Sequence, residues 1–131
     1  MVAGKSFHDN HFGADEAFYL ELEGLMSKQA MVVLSTAPDK VVAVRLASVL
    51  VEGKLAACVN IVEGVRSLYC WEGSLQDDKE VLLVCKTDEA HLKELTTTLE
   101  KQHPYDCPEV VALPIVGGSV AYLDWLIKQL D

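Results

Sequence analysis

Basic residues are scarce in this chain: 11 Lys and Arg stand against 20 Asp and Glu, a formal charge of −9. Nucleic-acid binding needs Lys and Arg gathered on one face, and no such cluster occurs, so a nucleic-acid partner is not expected. The acidic surplus favours solubility and by itself assigns no metal function. Long apolar runs are missing too. No stretch of about 18 apolar residues occurs, and the first residues carry no apolar signal core, so neither a membrane span nor a secretory leader is expected and the cytoplasm is the predicted location. Cysteine is limited to Cys58, Cys70, Cys85 and Cys107, without C-x-x-C spacing. Three of the four lie in strand-like runs, which predicts buried free thiols in a reducing compartment rather than a zinc cluster. The chain also lacks G-x-S-x-G, a Walker loop, G-x-G-x-x-G and H-E-x-x-H, so hydrolase, NTPase and dehydrogenase chemistry have no starting residue and no enzyme is expected.

What is present is an ordinary globular composition. Half of the 131 residues are apolar, with 4 Pro and 8 Gly, which rules against disorder and collagen and provides for one core. Residues 1 to 30 read as an N-terminal extension in which Phe18, Leu22 and Leu25 recur at helical spacing among Glu16, Glu21 and Glu23. Met26-Ser27-Lys28 also resembles a native start, so the residues before it read as a tag or an alternative start. Residues 31 to 131 form the predicted domain.

Met31 to Leu34 is a β-branched run closed by Thr36, Pro38 and Asp39, which signal a turn and a helix start. Val42, Leu46, Val49 and Leu50 predict a helix that stops at Gly53. Leu55 to Val62 and Val65 to Trp71 flank Glu63-Gly64 and predict one long strand bent at a bulge. Glu72 to Lys79 reads as a hairpin connection. The run from Glu80 to Thr87, apolar on both sides of the alternation, predicts a strand covered on both faces. Thr87 or Asp88 caps a second helix with Leu92, Leu95 and Leu99 inward, and Pro104 halts it near His103. Glu109 to Val116 reads as a last strand that Pro114 confines to an edge or a bulge. Ser119 begins a closing helix with Tyr122, Leu123, Leu126 and Leu130 inward.

The order βαββαβ plus a C-terminal helix predicts an α+β, ferredoxin-like antiparallel sheet sandwich, with the first and third strands central. The long second strand has few charges to protect its edge. Closed symmetry would satisfy that edge, so a homo-oligomer is expected.

Ser35-Thr36-Ala37-Pro38-Asp39, Leu55-Ala56-Ala57-Cys58-Val59-Asn60, Tyr69-Cys70-Trp71-Glu72-Gly73, Glu80 to Thr87, His103-Pro104-Tyr105, Pro108-Glu109, Tyr122-Leu123 and Trp125 occur in that order. Over residues 31 to 130 they resemble the CutA divalent-cation tolerance family. The resemblance implies a homotrimer, broadly similar to the trimeric PII signalling proteins, with a role in divalent-cation tolerance. Copper, as Cu(II), or another divalent cation is the implied ion. In some members the proposed copper site uses a Cys at the end of the first strand and adjacent His residues before Pro-Tyr. Ser35 and Gln102-His103 stand there instead, and a hydroxyl and a carboxamide are poor copper ligands. Cys58, His103 and Glu109 are then the candidate metal ligands. Tyr69, Trp71, Glu80, Lys86 and Tyr105 are candidate residues of an inter-subunit ligand cleft, whose alternative use is to bind a small ligand in a PII-like scaffold without metal. His91 reads as a surface residue, and His8 with His11 as a weak H-x-x-H.

Overall fold

The computed structural model describes residues 28–131, so the helix expected near Phe18 to Leu25 and the His8/His11 pair lie outside the described residues. Seven elements follow in order. They are β1 (Ala30–Ala37), α1 (Lys40–Glu52), β2 (Cys58–Trp71), β3 (Ser74–Asp88), α2 (Glu89–Gln102), β4 (Val111–Pro114) and α3 (Val120–Lys128). One sheet runs β2-β3-β1-β4 with every neighbour antiparallel, so β1 and β3 are central and β2 and β4 are the edges, as the sequence predicts.

Side chains alternate along a strand, so Met31, Val33, Ser35 and Ala37 of β1 share a face with Val81, Leu83 and Cys85 of β3. That face is packed under α1 and α2 and holds the main core. Asp39 starts α1 by accepting from the Val42 N–H at 2.9 Å. The buried stripe of α1 is Ala43, Leu46, Ala47 and Leu50. The expected Val42 and Val49 are only half-buried at its border, because small alanines let the helix axis approach the sheet. Gly53 ends the helix, and an added Cβ there would stand 3.0 Å from the Val49 carbonyl oxygen.

The hairpin connection is shorter than expected. It is the pair Glu72-Gly73, with φ of 51° and 80°. Two successive residues in the left-handed region make the tight mirror-image turn whose twist matches a β-ribbon, so Ser74 to Lys79 are strand rather than loop. Val62 and Val65 flank a register shift, and Gly64 takes a φ of 82° inside it, which is the expected bulge.

The opposite sheet face differs from the expectation that both faces of β3 are covered. α3 covers only one end of it, where Ala30, Leu126 and Leu130 form a second small core. Leu82, Val84 and Lys86 stay half-buried, and Val62, Val111 and Leu113 are exposed. Tyr122, expected inside, is exposed on the outer flank of α3, because burial there falls on Leu123, Leu126 and Leu130. β4 is four residues long rather than eight, and Pro114 closes it opposite Met31. Of the thiols only Cys85 is buried. Cys58 is half-buried, and Cys70 and Cys107 are exposed.

Candidate functional site

β1 ends at Ala37, opposite Val81, so Ser74 to Glu80 of β3 pair with β2 alone. The result is a two-stranded arm that extends past the four-stranded body. Period-two alternation puts Tyr69, Asp78 and Glu80 on one face of it. At its root two phenols meet two carboxylates. The Tyr69 hydroxyl donates to Asp78 Oδ2 at 2.5 Å, and the Tyr105 hydroxyl donates to Glu80 Oε2 at 2.9 Å. Both phenols are held above the ordinary tyrosine range. For Tyr69 the hydrogen bond to Asp78 is the main cause, and for Tyr105 burial comes first, followed by the bond to Glu80. Both therefore remain protonated donors at neutral pH. Arg66 forks onto Asp77 at 2.8 and 2.6 Å on the other face, which raises the guanidinium and holds the Asp77 carboxyl below its usual range.

Tyr105 is positioned by His103, the residue that ends α2. The Tyr105 N–H donates to His103 Nδ1 at 3.1 Å, so Nε2 carries the ring proton and donates it to the Thr36 carbonyl at 2.7 Å. The two rings lie 4.7 Å apart. His103 is 8% exposed, and both of its ring nitrogens are occupied.

The sequence-derived ligand set does not converge. Cys58 pairs with Lys86, and Lys86 with Val32, whereas His103 bonds Thr36, four positions further along β1. At about 3.3 Å per residue the separation along the strand alone is about 13 Å. Glu109 is exposed in the connection before β4. Among the described residues no group of three His, Cys, Asp or Glu is arranged to hold an ion. The residues of a single copy therefore do not fit a copper centre built on Cys58, His103 and Glu109. Of the expected cleft residues, Tyr69, Glu80 and Tyr105 come together. Trp71 lies at the tip of the arm, 59% exposed. Lys86 sits at the opposite end of β3, six positions from Glu80, where it donates to the Asn60 side-chain oxygen. His91 is half-buried rather than free on the surface, and its Nδ1 lies 2.6 Å from Asp88, the cap of α2. Asp78 was not expected in the site, because Glu72 to Lys79 reads as a turn. Extending the alternation of β3 backward from Glu80 would have placed it there.

The family model described as CutA1 divalent ion tolerance protein matches residues 31–129. The chain belongs to the CutA1 family. A CutA relative from Pectobacterium atrosepticum, named divalent-cation tolerance protein, is 52% identical over 101 residues, which cover 77% of this chain and 92% of that one. The solved CutA1 from Oryza sativa superposes with a TM-score of 0.77 at 48% identity, covering 80% of this chain and 98% of the other. The Thermus thermophilus CutA1 structure gives 0.76 at 46% identity, with 78% and 99% covered. An Archaeoglobus fulgidus CutA structure, described as periplasmic, gives 0.76 at 33% identity, with 78% and 99% covered. The name of the CutA1 family refers to ion tolerance and not to a catalysed reaction. Among the described residues no helix is long and apolar enough to cross a membrane.

Proposed function

We propose that this chain is one subunit of a ferredoxin-like homotrimer serving divalent-cation tolerance, and that the cleft at the root of its arm is the working site. The observation that carries this reading is the arm itself. Leu68, Trp71 and Leu75 expose 60%, 59% and 68% of their surface on a two-stranded ribbon that the described residues of a single copy leave uncovered. Apolar surface of this kind, beside open β2 and β4 edges, is satisfied when copies close into a ring. Relatives named for divalent-cation tolerance support the cellular role. Four free thiols suit a reducing cytoplasm.

Copper or another divalent ion is met in clefts that copies share, with Asp78 and Glu80 offering oxygen ligands and Cys58 a thiol from a separate position. Calorimetric titration of the reduced protein with Cu(II) and Zn(II) tests this. Saturable binding that weakens in Asp78→Asn and Glu80→Gln supports the arm-root cleft. Binding lost only in Cys58→Ala moves the site to the start of β2, and the absence of saturable heat removes the cation reading. A second reading, a small organic ligand held as in PII-like trimers, is favoured by the aromatic face of Tyr69 beside those carboxylates. A ligand specific to the folded assembly would raise its thermal midpoint.

A further inference from the structure

We infer that the arm is a hinged element, latched to the body of the subunit by the relay Thr36–His103–Tyr105–Glu80 and bending at the Gly64 bulge. An isolated two-stranded ribbon is marginal in water, so a projecting arm of this length needs a fastening. The bulge interrupts the β2–β3 register between Val62 and Val65, and Gly64 takes a φ of 82° there with nothing among the described residues within 4 Å of an added Cβ. That conformation is freely available to glycine and loosens the ladder at one level. Glu80 is the residue opposite Val65, immediately on the arm side of the interruption. The Tyr105 hydroxyl reaches that residue, at 2.9 Å.

The other end of the relay is fixed. Tyr105 donates its N–H to His103 Nδ1, and His103 donates Nε2–H to the carbonyl of Thr36 at the end of the central strand. His103 is itself tied to α2 through its N–H to the Leu99 carbonyl at 2.9 Å, and Pro104 stiffens the step between the two rings. Hinge and latch thus sit at one level of the sheet, one permitting rotation of the arm and the other setting its angle. Tyr105 and His103 are positioning residues for the arm, a role that requires neither a bound ion nor the assembly proposed above.

Hydrogen exchange on the full chain, with the assembly state fixed by sedimentation, tests the latch. Tyr105→Phe keeps the ring and removes only the donor. Its Arg66 to Lys79 amides should exchange about tenfold faster than in the unsubstituted protein, while Leu83, Leu95 and Leu99 keep their rates. Glu80→Gln retains a side-chain acceptor and should leave the arm at its original rate, whereas Glu80→Ala should match Tyr105→Phe. The double variant Tyr105→Phe/Glu80→Ala should exchange no faster than either single variant, because both remove the same bond. Unchanged arm exchange in Tyr105→Phe, or additive effects in the double variant, would overturn the latch. A monomeric protein whose arm still loosens in Tyr105→Phe would retain the latch and remove the trimer instead.

Discussion

Ser35 sits near the end of β1, wholly buried, and its hydroxyl oxygen has no hydrogen-bond partner among the described residues. Thr87, equally buried on β3, satisfies its own hydroxyl by donating to the Leu55 carbonyl at 2.7 Å. An unpaired buried hydroxyl carries its desolvation cost without return, so Ser35→Ala should stabilise the protein by about 1 kcal/mol, read as a higher urea midpoint with an unchanged slope. A lower midpoint would show that the hydroxyl has a partner. The residue type at this position is plain in the sequence, as is the His103 that faces the end of the same strand. Neither reveals its hydrogen bonding in one dimension. Whether an imidazole can accept a metal depends on which of its nitrogens are already engaged, and for His103 both partners are backbone groups, one of them 67 residues away. Cys85 shows the same dependence on surroundings: burial pushes its thiol up to about 12, so it packs as an inert hydrophobe, while Cys70 and Cys107, equally ordinary in sequence, are exposed.

Strand and helix positions were largely readable because alternation and 3.6-residue spacing follow directly from backbone geometry. Proline and the caps were readable for the same local reason: Asp39, Asp88 and Ser119 each accept from an N–H three residues ahead. The sequence understates the length of the arm because polar residues on a ribbon with two wet faces look like a loop. Its acid–phenol pairs also give it a pH response. Tyr69 and Tyr105 have folded pKa values raised above the unfolded value of about 10. A raised pKa contributes stability that is complete below the unfolded value and is lost as pH rises through the folded one. The arm should therefore hold from neutrality to about pH 10 and loosen above it. Tyrosinate absorbance followed alongside hydrogen exchange of the arm checks this, and phenols that ionise at the ordinary tyrosine pH with no change in the arm would contradict it.

For the molecule as a whole, the arrangement of surfaces matters more than any single contact. One sheet face is sealed by α1 and α2, the other is only partly covered by α3, and the arm carries apolar side chains past both. Placing charge along the arm should prevent copies from closing over it. Leu68→Lys with Trp71→Lys should weaken assembly at least tenfold, seen by sedimentation velocity as a shift toward single copies at micromolar concentration, while far-ultraviolet dichroism keeps the sheet signal. Unaltered sedimentation of that variant would remove the arm from the interface.

From β1 to α3 the type and order of elements, the edge position of Pro114 and the bulge at Gly64 were determined by the sequence itself, because each depends on local backbone sterics or on the period of neighbouring side chains. The meeting of Tyr69, Asp78, Glu80 and Tyr105, the separation of Cys58 from His103, and the half-open second face were decided only in three dimensions. They depend on where β1 stops relative to β3 and on how far α3 reaches across the sheet, and those distances arise from packing between segments that are remote along the chain.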